Sequence, residues 1–225
     1  MFRPVALGLV LAAVVALAPG ASAERDPGWS TGGDPRACSA PIWPERLASG
    51  SPGLGRRVLV IGDSLVRESA ASIQRGLRDS GWTPTIRCFG GKRLDWALAQ
   101  IARAKEIDQL PDIVVIAVGT NDMRWIARDV TRARMERVVR SLGKRTVVWV
   151  DTYASGADRF TKDKQRWINR RIGDVDRRYP NVHRVRWGAY AEAAGVRFRD
   201  GLHYDAEGRR AFAARLVDTV NRVGG

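Results

Sequence analysis

Four short stretches carry residues that could do chemistry together: Gly62-Asp63-Ser64, Gly90-Gly91, Gly119-Thr120-Asn121-Asp122 and Asp200-Gly201-Leu202-His203. A serine hydroxyl is a weak nucleophile by itself and needs a base to take its proton. His203 suits that task. It lies three residues beyond Asp200 in a loop containing Gly201, so the carboxylate can accept Nδ1–H and leave Nε2 free for Ser64. The chain has one other histidine, His183, in the short predicted strand Val182 to Trp187 with no acid beside it, and that residue reads as structural. Attack on an acyl carbonyl also requires donors for the oxyanion. The Ser64 N–H, the Gly91 N–H and the Asn121 amide are the candidates, Gly91 being taken in preference to its neighbour Gly90. Asp63 and Asp122 read as residues that shape their turns. The chemistry is acyl transfer through Ser64, His203 and Asp200. No metal or other cofactor is implied, since the two histidines stand 20 residues apart without ligand spacing.

These groups can meet only if the intervening chain delivers each to the same edge of a sheet. Val58 to Ile61 is an unbroken apolar run, as strands buried on both faces are. The break at Gly62-Asp63-Ser64 and a helical pattern through Leu65, Ser69, Ile73 and Leu77 put Ser64 at a strand-to-helix junction. Open α/β sheets bind their ligands at that edge. Downstream, the spacing predicts strands at 85–89, 112–118, 146–150 and 182–187, and helices at 94–107, 129–142, 162–178 and 205–220. Alternation of this kind implies parallel strands with right-handed crossovers. The expected fold is a three-layer α/β/α sandwich with a five-stranded parallel sheet, and each chemical block falls at a strand end or just before the last helix.

With those blocks in that order, residues 57 to 220 resemble the SGNH (GDSL) hydrolases. Ser64 in Gly-Asp-Ser-Leu65 matches the nucleophile block, Asn121 in Gly-Thr-Asn-Asp the third block, and Asp200 with His203 the Asp-x-x-His block. The glycine block, Phe89-Gly-Gly-Lys-Arg93, departs most from the family pattern. The resemblance implies a flavodoxin-like SGNH hydrolase fold, metal-free acyl-ester hydrolysis and a shallow open site. It does not fix a substrate, because one fold hosts many chemistries.

The N-terminus reads as an export signal. Met1-Phe2-Arg3 is a short basic start, Val5 to Ala18 is uncharged and apolar, and Ala21-Ser22-Ala23 is a cleavage site. The apolar run is shorter than the roughly 20 residues a bilayer span needs, so no stable membrane span is expected after processing. Residues 1–23 are thus a signal peptide cleaved after Ala23, residues 24–55 a Pro/Gly-rich arm, and residues 56–225 the catalytic domain. The protein is expected to be secreted or held in the cell envelope, as a monomer. An exported chain with two cysteines suggests one disulfide, Cys38–Cys88.

A formal charge of +14 is the unusual feature of the composition. No run of Lys or Arg exceeds two residues, so most of this charge reads as solvated surface. Nucleic acid is not an expected partner, because the eight tryptophans do not interleave with basic residues as stacking platforms. Arg67, Lys92, Arg93, Arg124 and Arg199 nevertheless flank the chemical blocks. If they face the cleft, they favour a substrate carrying a carboxylate or phosphate, or an anionic cell-envelope polymer. The function expected is a secreted esterase acting on short acyl esters of an envelope glycan or small molecule. The alternatives are an O-acyltransferase to a sugar hydroxyl and an inactive, basic envelope-binding module.

Overall fold

The computed structural model describes Cys38, residues 56–155 and residues 159–225, with side chains in the last segment from Lys162 onward. The expected signal peptide and nearly all of the 24–55 arm lie outside the described residues. Twelve elements follow in chain order: β1 (Arg57–Gly62), α1 (Ser64–Asp79), β2 (Thr83–Cys88), α2 (Leu94–Glu106), β3 (Ile113–Ala117), α3 (Thr120–Trp125), α4 (Arg128–Leu142), β4 (Thr146–Val150), α5 (Arg159–Arg178), β5 (Val182–Val185), α6 (Trp187–Ala193) and α7 (Ala206–Gly224).

The five strands form one sheet in the order β2-β1-β3-β4-β5, and every pairing is parallel. Side chains alternate between two cores, as the two-residue period of a strand requires. Val58 and Val60 of β1, Val115 of β3 and Val148 of β4 face α1 and α7. Leu59 and Ile61, Val114 and Ile116, and Val147 and Trp149 face α2, α4 and α5. Helices therefore cover both faces, which explains why the central strands have no polar side.

After β2 the chain returns to the other side of β1 and continues outward through β3, β4 and β5. The direction of winding reverses between the adjacent strands β1 and β3. In doubly wound sheets the ligand crevice opens at such a switch point, outside the carboxyl ends of the strands. Ser64 follows β1 directly and Asn121 follows β3, so both flank this position.

Two short helices depart from the elements expected. The stretch Gly119-Thr-Asn-Asp opens α3 rather than a loop, and the strand expected through Trp187 stops at Val185. Trp187 instead starts α6 and turns beneath the sheet edge, where it packs edge-on against Tyr204 and Phe212. Strand β2 begins two residues before its expected start, taking in Pro84. It is an edge strand, where a residue without an N–H is tolerated.

Cys38 and Cys88 form the expected disulfide, with Cα atoms 5.5 Å apart. The bond attaches residue 38 to the last residue of β2, immediately before the Phe89-Gly-Gly turn. Closing a loop of this length is worth on the order of 4 kcal/mol in the chain-entropy account.

Candidate active site

The turn from β1 into α1 is built around two small features. A Cβ on Gly62 would stand 2.1 Å from the Val66 side chain, so the strand can pass the first turn of α1 only as glycine. Asp63 then caps the helix, its Oδ1 accepting the Leu65 N–H at 3.0 Å. Ser64 is the first residue of α1, and the N–H groups of a first turn have no intrahelical acceptor.

The loop before α7 brings its two polar residues to this serine. Ser64 Oγ lies 2.9 Å from His203 Nε2, and His203 Nδ1 lies 2.7 Å from Asp200 Oδ2. The other oxygen, Oδ1, accepts the backbone N–H groups of Leu202 at 3.0 Å and His203 at 2.7 Å. One carboxylate thus folds its own loop and orients the imidazole. Burial works against the charged form of Asp200, but the His203 N–H, the imidazole and the Leu202 N–H outweigh it and hold the carboxyl at about 2.

Tyr204, the next residue, anchors the loop in the core. It is fully buried, its hydroxyl accepts the Trp187 indole N–H at 2.7 Å, and that hydroxyl donates to the Tyr153 carbonyl at 3.3 Å. Ser155 N–H donates to the Gly201 carbonyl at 2.9 Å, which ties the loop to the chain leaving β4.

The third and second blocks meet beside the serine. Asn121, half-buried in the first turn of α3, donates from Nδ2 to the Lys92 carbonyl at 3.0 Å and, at 3.4 Å, to Asp63 Oδ2. It therefore bridges the residue next to Gly91 and the residue next to Ser64. Gly91 has φ +72°, a conformation open to glycine at little cost, and no heavy atom lies within 4 Å of where a Cβ would stand. Gly90 has no positive φ. Asp122 is fully buried, accepts the Leu94 N–H at the start of α2 at 3.0 Å, and faces Arg134 at 3.5 Å. Its burial raises the carboxyl pKa against the pull of the Leu94 N–H and Arg134.

Asp63 is the most perturbed carboxyl at the site. Burial raises it to about 7, against the opposing pull of the Leu65 N–H and of His203. Near neutral pH it therefore carries a proton much of the time, while Asp200 stays ionised. Among the described residues no group of three or more His, Cys, Asp or Glu side chains is arranged to hold a metal ion.

The basic residues are less uniform than their positions in the sequence suggest. Arg67 is half-buried on α1, Lys92 Nζ sits 4.5 Å over the Phe89 ring, and Arg93 occupies the cap position of α2. Arg124 lies 5.0 Å over the exposed Trp125 ring. Arg199 does something different: its Nη2 donates to Glu68 Oε2 at 2.6 Å and its Nε to the Tyr204 carbonyl at 3.2 Å. Sequence reasoning missed Glu68, Tyr204 and Trp187. For Glu68 the available signal was its position one helical turn after Ser64.

Ser64 thus stands at the carboxyl edge of a doubly wound sheet with a carboxylate-oriented imidazole on its hydroxyl, the geometry that activation of a serine requires. Residues 60–211 match the model of the GDSL-like lipase/acylhydrolase family, and the chain belongs to that family. No curated protein matches the sequence significantly. Among solved structures, the chain is similar to the C-terminal catalytic domain of peptidoglycan O-acetyltransferase A from Streptococcus pneumoniae, solved with a methylsulfonyl adduct. The TM-score is 0.62 and the identity 19%, over 75% of this chain and 92% of that one. A catalytic mutant of an acetylxylan esterase from Geobacillus stearothermophilus gives a TM-score of 0.59 at 16% identity, covering 74% of this chain and 94% of that chain. A carbohydrate esterase family 3 structure from Talaromyces cellulolyticus gives 0.59 at 16% identity, covering 75% and 98%. At these identities the likeness establishes the fold: a five-stranded parallel sheet with helices on both sides, as in the SGNH hydrolases. No described helix is long and apolar enough to cross a membrane.

Proposed function

We propose that the protein is an exported serine esterase that removes short acyl groups from an envelope glycan or a small ester. The observation that carries this reading is the unbroken hydrogen-bonded chain from Ser64 Oγ through the His203 ring to Asp200. His203 Nε2 takes the hydroxyl proton as Ser64 Oγ bonds to the ester carbonyl carbon, and the carbonyl π pair moves to oxygen. When the tetrahedral species collapses, the alkoxide leaves with the proton from His203. Water, deprotonated by the same nitrogen, then attacks the acyl-serine and releases the acid.

The oxyanion is received by the Ser64 N–H, the Gly91 N–H and the Asn121 amide. Asn121 holds its bond to Lys92 throughout, and its longer contact to Asp63 is the one an oxyanion replaces. The protonated form of Asp63 makes that exchange easier, because a neutral acid competes less strongly for the amide than a carboxylate.

Export, with cleavage after Ala23, is supported by the apolar leader and by the Cys38–Cys88 bond, since disulfides persist in oxidising compartments. The likeness to a peptidoglycan O-acetyltransferase supports a second reading, in which a sugar hydroxyl rather than water accepts the acyl group.

One experiment tests both. Wild type and Ser64→Ala are treated with a fluorophosphonate probe and assayed on a small acetyl ester, with and without a glycan acceptor. Wild type is expected to label and to turn over the ester, and Ser64→Ala to do neither, with kcat lower by roughly 10³-fold or more. Turnover by Ser64→Ala at the wild-type rate rejects the serine mechanism. Acylated glycan in place of free acid assigns the transferase reaction.

A further inference from the structure

Two contacts join α1 to the loop that carries Asp200 and His203, and they have the same spacing on both sides. On α1 the partners are Ser64 and Glu68, four residues apart and so on one face of the helix. On the loop they are His203 and Arg199, also four residues apart. Ser64 Oγ meets His203 at 2.9 Å, and Glu68 Oε2 meets Arg199 Nη2 at 2.6 Å. Arg199 also closes its own loop. Its backbone N–H donates to the His203 carbonyl at 2.8 Å and its Nε to the Tyr204 carbonyl at 3.2 Å.

Glu68 is an unusual residue for such a helix. Its side chain is 1% exposed, and its second oxygen, Oε1, is buried without a hydrogen-bond partner. A buried carboxylate with half its acceptor capacity unused is costly to keep, and a pair like this gives little net stability over an apolar replacement. Its geometry has another consequence. The Ser64–His203 contact is a single hydrogen bond to a half-buried ring on a loop, and the ion pair one turn along α1 is a second tie between the helix and that loop. A shift of about 1 Å in a reacting group is enough to cost a large factor in rate.

We propose that Glu68 and Arg199 form a positioning clamp that sets the Ser64–His203 distance, acting through His203 and touching no substrate. This inference rests on the serine reading above. It replaces the expectation that Arg199 binds an anionic substrate, and the two roles make opposite demands on Glu68. A clamp needs both partners equally, whereas an arginine that reads substrate charge does not need the glutamate to act in chemistry.

The test uses the mature chain and four variants: Glu68→Ala, Arg199→Ala, the double Ala variant and Arg199→Lys. Each is melted, then compared in fluorophosphonate labelling rate and in kcat and KM on a neutral and an anionic acetyl ester. Glu68→Gln stands in where Glu68→Ala fails to fold. The clamp predicts that Glu68→Ala and Arg199→Ala each lower labelling rate and kcat by about 10- to 100-fold on both esters, with KM nearly unchanged. It further predicts that the double variant loses no more than either single one, and that Arg199→Lys recovers much of the rate. Loss confined to KM for the anionic ester in Arg199→Ala overturns the clamp in favour of substrate recognition. Lowered melting temperature with wild-type labelling rate and kcat also overturns it, leaving only a structural pair. Failure of the serine reading is distinct from either, because it shows as undiminished turnover in Ser64→Ala.

Discussion

The carboxyl edge of the sheet has two halves that treat polar residues in opposite ways. Over β1 and β3, Ser64 and His203 share one hydrogen bond between groups that retain further donor or acceptor capacity, and Asn121 Nδ2 donates to the Lys92 carbonyl and Asp63. Over β4 and β5, two buried polar residues are matched by partners on β5 and α5. Asp151, 1% exposed at its side chain, receives Arg184 Nε at 2.6 Å and Nη2 at 2.9 Å. The next residue, Thr152, is bound three ways by Asn169: N–H and Oγ1 donate to Oδ1 at 2.9 Å and 3.0 Å, and Nδ2 donates to the Thr152 carbonyl at 2.9 Å. A cavity of about 440 Å³ opens beside them and extends along α5, where Asp174 pairs with both Arg171 and Arg177. Position at the edge of an α/β sheet thus does not by itself make a site. Chemistry needs groups whose partners can be exchanged, and the β4–β5 half has bound its own.

That difference has a sharp experimental form. His203→Ala should lower kcat by roughly 10³-fold or more while leaving the melting temperature close to wild type, since the loop is anchored in the core by Tyr204 and not by the imidazole. Asp151→Asn should do the reverse. It leaves a half-buried arginine without its bidentate partner, so stability should fall by about 3 kcal/mol, or roughly 6–12 °C for a domain of this size, with kcat within about twofold of wild type. Denaturation curves and a single esterase assay on both variants measure this. A catalytic defect in Asp151→Asn comparable to that of His203→Ala would erase the distinction between the halves.

Two carboxyls at the Ser64 end shift in opposite directions, and this gives the comparison a pH dependence. Asp63 is raised to about 7, so the native state keeps a proton that the unfolded chain releases near the ordinary carboxylate range. Its contribution therefore makes the protein less stable as pH climbs from about 4 towards 7. Asp200 is lowered to about 2, so its contribution is present above the ordinary range and fades as pH drops through 4 towards 2. Asp200 is half-exposed, and its part should be the smaller one. Urea midpoints measured from pH 4 to 8 should decline for wild type and flatten for Asp63→Asn, a residue that keeps the helix cap. Parallel curves for the two proteins would show that Asp63 ionises normally in the fold.

The parts of this arrangement that were readable from sequence are the local ones. Val58 to Ile61 and Ile113 to Ala117 announce buried strands because both their faces meet helices, leaving no polar alternation. The four polar blocks stand out because each follows a strand or precedes the last helix. What stayed hidden depends on distant partners. The six residues of α3 are too few for a helical period, and Trp187 looked like a continuation of β5 until Tyr204 and Phe212 provided the contact that turns it into α6. Glu68 reads as one more charge on an amphipathic helix. Its partner lies 131 residues away, and nothing near either residue points to the other.

The smallest expected effect concerns the charges that the two halves do not share. At the Ser64 end Arg124 is exposed one turn of α3 after Asn121, over the exposed Trp125 ring. At the other end Arg171 and Arg177 are held by Asp174. If the first group rims the cleft, an anionic acetyl ester should be captured faster than a neutral one with the same leaving group at low salt. The advantage should be a few-fold in kcat/KM, carried by capture rather than by kcat, because steering acts before chemistry. It should shrink as ionic strength approaches about 0.15 M, where the Debye length is near 8 Å. Arg124→Ala should reduce the preference, whereas Arg177→Ala should leave it intact, since Arg177 lies in the last turn of α5 and not at the strand ends that lead to Ser64 and Asn121. Equal loss in both variants would mean that the +14 charge acts as a diffuse whole-surface field. A salt-independent rate ratio of one would assign these arginines to the solvated surface and leave the Ser64 cleft without a charge preference.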